Sequence, residues 1–141
     1  MAKIERFEEI ESWKVARGIS RQVYSITCSG NFAKDFGLRE QVQRSAVSVM
    51  ANIAEGFDSG SSREFIRFLG YAIRSATELQ SHLYVALDQD YISKQEFDTL
   101  FASIIKCKNL LSGFARYLRS HPKSQSVQSD TLNVEHRTLN T

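Results

Sequence analysis

Residues 44–56 read RSAVSVMANIAEG, and the ten residues between Arg44 and Glu55 carry no charge. The chain as a whole is ordinary for a soluble protein, with 24% charged and 42% hydrophobic residues. An α-helix turns by about 100° per residue, so four apolar residues in and just before this stretch fall within about 60° of one another. They predict a stripe that faces a protein core: Val42, Ala46, Val49 and Ile53.

The apolar side of this helix is wider than one core requires. Val47, Met50, Ala51 and Ala54 lie beside the stripe, so the apolar arc spans about 200°, whereas about 100° covers a single core. Large exposed apolar surfaces are rare on soluble monomers, and we therefore expect these four residues to contact another copy of the chain. The alternative is that neighbouring helices of the same chain wrap further round.

Hydrophobic spacing and cap residues predict four helices, over about residues 8–27, 38–56, 61–88 and 93–120. Gly56 is predicted to end the second helix as its cap glycine. Ser61 with Glu64, and Ser93 with Glu96, have the spacing of a capping box. We expect an all-α, antiparallel up-down-up-down four-helix bundle over residues 1–120, followed by a flexible C-terminal tail over 121–141.

Composition argues against several classes of protein. Cys28 and Cys107 are too few for a disulfide framework and belong to no CxxC pair. The first residues, MAKIERFEEIE, are charged where a secretory signal would carry an apolar stretch, and no apolar run approaches the roughly 20 residues that cross a bilayer. His82, His121 and His136 have no ligand-like spacing. We expect a cytoplasmic protein with no membrane contact, no metal and no cofactor.

Basic residues gather on three of the predicted helices. No acid occurs between Glu11 and Asp35, and none between Asp98 and Asp130. Such basic stripes suit a nucleic-acid backbone, because each neutralised phosphate releases condensed counterions. The alternative is a set of solvated helix faces, with the C-terminal cations favoured by the helix dipole. The candidate nucleic-acid-binding residues are Lys14, Arg17, Arg21, Arg63, Arg67, Arg74, Arg116 and Arg119.

Polar residues on the second and third helices form another candidate group. Carboxylates near Tyr71 and His82 could perform acid–base chemistry. We expect instead a structural polar network that fixes the register of the two helices, and hence no catalytic residue. Its predicted members are Asn52, Glu55, Glu64, Ser75 and Glu78.

The stretch at residues 44–56 resembles the signature of the bacterial four-helix-bundle family found in 23S ribosomal RNA intervening sequences. A second signature of that family is similar to residues 61–79, and its early aromatic motif is similar to Trp13 followed by Ala16. The resemblance covers about residues 5–120.

This resemblance implies a four-helix protomer that assembles into a ring-like homopentamer. One branch of the family is the accessory protein of diversity-generating retroelements, which binds nucleic acid and a reverse transcriptase. We therefore expect a non-enzymatic, homo-oligomeric accessory or adaptor protein that binds RNA or DNA without sequence preference. The alternative is a protein–protein scaffold with no nucleic-acid role.

Overall fold

The computed structural model describes residues 4–121, and within them the chain forms four α-helices and no strand. The helices are α1 (Glu11–Thr27), α2 (Phe36–Asp58), α3 (Ser62–Asp88) and α4 (Lys94–Ser120). Short 3-10 turns, Phe7–Glu9 and Phe32–Lys34, precede α1 and α2. The all-α prediction with four helices is confirmed. The predicted tail lies outside the described residues, apart from His121.

The two predicted capping boxes differ in the structure. Before α4, Ser93 Oγ accepts from the Glu96 amide at 3.0 Å, and Glu96 Oε1 accepts from the Ser93 amide at 2.8 Å. Before α3, Ser61 Oγ accepts from the Glu64 amide at 3.2 Å. The Glu64 carboxylate instead lies 3.6 Å from the guanidinium of Arg67. The sequence pattern therefore locates both helix starts, but only the second box is complete.

Gly56 is not the cap that the sequence predicts, because α2 continues to Asp58. The glycine is buried inside the helix, where it faces α3. A β-carbon at this position would lie 2.8 Å from Cβ of Phe68 and 2.9 Å from Cδ1 of Phe65. Close approach of two helices, rather than a helix end, is thus the reason for glycine here.

The four helices enclose one core. Both α1 and α3 pack against α2 and α4. The rings of Phe65 and Phe114 lie 5.0 Å apart, as do those of Tyr84 and Phe97, so the start of α3 lies beside the end of α4. The largest fully buried side chains are Phe32, Phe65, Phe114, Ile4, Ile10, Ile53, Leu69, Leu79, Leu83, Ile104, Leu110 and Leu111.

Both cysteines are free thiols. Cys28 is exposed at the end of α1, whereas Cys107 is buried in α4. The Cys107 thiol lies 3.7 Å from the carbonyl oxygen of Ser12, which places the middle of α4 beside the start of α1.

Candidate nucleic-acid and assembly surfaces

The basic residues of α1 are all exposed to solvent. Lys14 Nζ lies 4.0 Å from a carboxylate oxygen of Glu11, at the limit of an ion pair. The Arg17 guanidinium lies 5.9 Å from the centre of the Trp13 ring. Arg21 has no hydrogen-bond or ion-pair partner among the described residues. The charged groups of α1 are thus only weakly engaged within the chain.

On α3, Arg63, Arg67 and Arg74 are also exposed, but Arg67 is held by its own helix. Its Nε donates to the hydroxyl of Tyr71 at 2.7 Å, and Glu64 lies on its other side. These contacts, with the Tyr71 hydrogen bond first, raise the pKa of Arg67 above its ordinary value. Arg67 therefore offers less free donor capacity than the cations of α1.

The structure does not merge the predicted basic residues into one patch. Helices α1 and α3 each pack against α2 and α4, so their outward faces lie across the core from each other. Arg116 and Arg119 are exposed near the end of α4. A single chain therefore carries separate basic groups on α1 and α3, and within residues 4–121 the charges on α1 have only the weak contacts of Lys14 with Glu11 and of Arg17 with Trp13.

Part of the wide apolar arc of α2 is covered within the chain. Met50 is half-buried, and its sulfur accepts a hydrogen bond from Ser20 of α1 at 3.4 Å. Val47 remains 41% exposed, Ala51 is exposed, and Ala54 is half-buried. Coverage within the chain therefore accounts for Met50, which α1 contacts, and leaves Val47 and Ala51 open. We name Val47, Met50, Ala51 and Ala54 the α2 surface.

A second apolar area, which the sequence analysis missed, lies where α3 packs on α4. Tyr84 is 51% exposed and Ile105 is 44% exposed. Phe101 is half-buried, and its ring lies 5.7 Å from the Tyr84 ring. We name Tyr84, Phe101 and Ile105 the α3/α4 surface. Ile105 lies outside the core-facing stripe of α4, and this position was the only feature of the sequence that indicated the α3/α4 surface.

Two of the five predicted network residues, Ser75 and Glu78, form bonds that join α2 and α3. Among the described residues, Asn52 bonds only to Ser48, within α2. Ser45 Oγ donates to Glu78 Oε1 at 2.5 Å. The hydroxyls of Ser48 and Ser75 lie 2.8 Å apart, and the amide nitrogen of Asn52 donates to the Ser48 hydroxyl at 3.0 Å. Ser45 and Ser48 were not in the predicted set, although serines on the α3 side of a buried helix are natural partners for Glu78 and Ser75.

Glu64 and Glu55, which were also predicted for this network, form no bond between α2 and α3 among the described residues. Glu64 contacts Arg67 on its own helix rather than α2. Glu55 is exposed and has no hydrogen bond or ion pair with any residue between 4 and 121. His82, which the acid–base alternative invoked, lies 3.6 Å from Glu78 one turn earlier on α3. Of the predicted polar residues, Ser75 and Glu78 are thus the two that connect α3 with α2.

Residues 4–121 contain neither a candidate metal site nor a candidate membrane-spanning helix. No group of three or more histidine, cysteine, aspartate or glutamate side chains is arranged to hold a metal ion in this part of the chain. Within the same residues, no helix combines the length and the apolar character that crossing a membrane requires.

Comparison with known proteins places the chain in a family. The family model described as 23S rRNA-intervening sequence protein matches residues 8–113. Among solved structures, the chain is similar to a protein of unknown function from the S23 ribosomal protein family of Bacteroides thetaiotaomicron VPI-5482. The TM-score is 0.68 and the identity 22%, over 74% of this chain and 98% of that one.

The structural likeness, at this identity, supports the four-helix fold alone. A search of curated proteins found no match. The family match spans well over half of the chain and contains the stretch 44–56 from which the fold was first predicted. This chain therefore belongs to the 23S rRNA-intervening sequence protein family.

Proposed function

We propose that this protein is a non-enzymatic, homo-oligomeric accessory protein that binds nucleic acid through basic helix faces without sequence preference. The observation that carries the proposal is the exposed cationic face of α1. Lys14, Arg17 and Arg21 project from one helix, and no acid follows them before Asp35. Lysine and arginine side chains that are not paired with carboxylates are the groups that replace counterions on a phosphate backbone.

One α1 face offers few phosphate contacts, so assembly is part of the proposal. We propose an antiparallel up-down-up-down bundle that forms a ring, most simply a pentamer, as the family resemblance suggests. The short connections after α2 and α3, and the contacts between consecutive helices, support the antiparallel bundle within one chain. Repeating the α1 face around a ring raises the local positive potential and lets one nucleic acid contact several copies.

The proposal places the protein in the cytoplasm, where RNA and DNA are accessible. A reverse transcriptase is the protein partner that the resemblance to retroelement accessory proteins suggests. Among the polar residues most suited to acid–base chemistry, Glu78 accepts a hydrogen bond from Ser45 of α2, and Glu64 and His82 contact side chains of their own helix. These contacts support a binding role rather than a catalytic one.

The test is a titration of structured RNA and duplex DNA with the full chain, across about 50 to 200 mM salt. The variant carries Lys14→Gln, Arg17→Gln and Arg21→Gln together. We expect weaker binding to every sequence, and a salt slope smaller by up to about 3, because each lost phosphate contact lowers the slope by about 1.

The matched control removes three other exposed cations through Arg6→Gln, Lys34→Gln and Lys106→Gln. It should keep most of the affinity, because the overall charge change is the same but the α1 face is intact. Equal loss in both variants would show a general charge effect and contradict the α1 assignment.

The second candidate function is a protein–protein scaffold, and the exposed apolar residues of the α2 and α3/α4 surfaces favour it. It predicts no binding of RNA or DNA by the wild-type chain even at the lowest salt concentration. That result would overturn the nucleic-acid proposal and leave the assembly of the protein as its function.

A further inference from the structure

The large hydrophobic side chains that remain exposed are not scattered. Tyr24, Phe36 and Val47 lie on α1 and α2, and Tyr84 and Ile105 lie on α3 and α4. Val85 also lies on α3, but it points about 100° away from Tyr84 around that helix. Contiguous exposed apolar residues on a soluble protein mark sites of association.

The two groups lie on opposite sides of the chain. Helix α1 packs against α2 and α4, and α3 packs against the same two helices, so the α1–α2 side faces away from the α3–α4 side. Neither side can cover the other within one chain. If the two sides are complementary, each copy can use one side toward one neighbour and the other side toward the next, which is a heterologous interface.

The outward residues of α2 and α4 show this complementarity. Along α2 the order is Glu40, Arg44, Val47 and Ala51, and along α4 it is Lys94, Asp98, Phe101 and Ile105. Both sets have the spacing i, i+4, i+7 and i+11, which follows one face of a helix. When these two sets are aligned in parallel, Glu40 meets Lys94 and Arg44 meets Asp98. Each of these pairs joins opposite charges, and the two apolar residues of α2 meet the two of α4.

The present partners of these charges leave them available. Glu40 and Arg44 have no ion pair with any residue between 4 and 121. Lys94 and Asp98 pair with each other along α4, but both side chains are more than half exposed. An exposed pair of this kind contributes little to stability, so its members can exchange partners at small cost.

We propose that the α2 surface of one copy packs on the α3/α4 surface of a second copy, with α2 parallel to the α4 of that copy. Glu40 then faces Lys94 and Arg44 faces Asp98, while Val47 and Ala51 pack on Phe101 and Ile105. This inference rests on the homo-oligomer of the proposed function and names its interface.

Packing of α2 against α2 of another copy fits the residues less well. In an antiparallel pair centred near Val47, Arg44 meets Ala51 and finds no carboxylate. Such a pair also leaves Tyr84 and Ile105 uncovered. The pairing of two different surfaces satisfies the charges and covers both apolar areas.

The test uses two variants that each spoil one surface, Val47→Glu and Ile105→Glu. A buried unpaired carboxylate opposes association, so each variant alone should be monomeric by light scattering. Each retains the surface that the other has lost, and one intact interface can form between them. Mixing the two should therefore double the mass to that of a dimer.

The matched control is Val85→Glu, which adds the same charge to an exposed valine outside both surfaces and should retain the wild-type mass. An Ile105→Glu variant of wild-type mass would overturn the proposal in favour of α2–α2 pairing. A mixture that stays monomeric, or a wild-type chain that is itself monomeric, would also overturn it. Nucleic-acid binding by the α1 face is measured separately and does not depend on these outcomes.

The register is tested with Ala51→Cys and Ile105→Cys in one chain, in which Cys28→Ser removes the exposed native thiol. Oxidation of the assembled protein should link successive copies, because a disulfide requires Cα atoms within about 7 Å. Ala51→Cys combined with Val85→Cys should give no such ladder. A ladder from that control, or none from the 51–105 pair, contradicts the parallel alignment.

Discussion

Gly56 shows at the scale of a single residue how a correct sequence signal can lead to a wrong interpretation. Glycine after an apolar run is typical of a helix end, and Gly56 was therefore predicted to end the second helix. In the structure the helix passes through Gly56, and the rings of Phe65 and Phe68 occupy the space that a side chain would need. A sequence does not reveal which neighbour approaches a glycine, because that neighbour belongs to another helix.

Gly56→Ala is expected to destabilise the fold by about 1–3 kcal/mol, the usual cost of overpacking a core. The nearest atom, Cβ of Phe68, is fixed to the α3 backbone and cannot move without moving that helix. The measurement is urea unfolding followed by circular dichroism. Gly18→Ala is the control, because no atom lies within 4 Å of its added β-carbon, and we expect a gain of about 0.5–1 kcal/mol. Equal effects of the two changes would contradict the packing argument.

At the scale of the element, hydrophobic spacing and caps predicted two of the four helices closely, namely α3 and α4. Helices α3 and α4 end at Asp88 and Ser120, as the sequence indicates. The first helix begins at Glu11 rather than near residue 8, because a 3-10 turn occupies Phe7–Glu9. Periodicity does not separate such a turn from the first turn of an α-helix, since both place residues three apart on one side.

The candidate sites were less predictable than the helices. Exposure of Lys14, Arg17 and Arg21 follows from the polar side of a single helix, so the sequence was sufficient for that group. The α3/α4 surface depends on how two helices meet, and Tyr84 and Ile105 looked unremarkable in sequence. The partners of Ser45 and Ser48 were missed for the same reason.

Tyr91, in the connection between α3 and α4, joins that connection to the start of α2. Its hydroxyl donates to Asp35 Oδ2 at 3.0 Å, and the other oxygen of Asp35 accepts from the Leu38 amide at 3.2 Å. The hydrogen bond to Asp35, followed by desolvation and the Asp35 charge, raises the pKa of Tyr91 above 10.0. The folded protein therefore holds this proton more tightly than the unfolded chain.

Stability from this bond should be fully present below about pH 10 and should be lost as the pH rises through the raised pKa. We expect Tyr91→Phe to lower the urea midpoint at about pH 8, and to show a smaller further drop at about pH 11 than the wild type. Tyr84→Phe, whose hydroxyl has no hydrogen bond among the described residues, should retain the wild-type alkaline drop. A Tyr91→Phe variant with that same drop would assign the effect to other groups.

At the scale of the whole molecule, the cations and the apolar residues occupy different parts of the chain. The α1 face carries weakly engaged charge, whereas the α2 and α3/α4 surfaces carry exposed apolar side chains. If the protein has the proposed function, this division lets one chain bind neighbours and nucleic acid at the same time. The proposal therefore predicts that assembly and nucleic-acid affinity are coupled through the number of α1 faces, rather than through shared residues.

The coupling is tested by comparing RNA binding by Val47→Lys and Val85→Lys. Both variants add the same positive charge to an exposed valine, which alone would strengthen binding. Val47→Lys should nevertheless bind at least tenfold more weakly and with a smaller salt slope than Val85→Lys, because a monomer offers one α1 face and loses the avidity of linked sites. Light scattering on the same samples establishes that only Val47→Lys has lost its assembly. If the dissociated variant binds RNA as tightly as the assembled one, a single α1 face accounts for the affinity, and the ring adds nothing to nucleic-acid recognition.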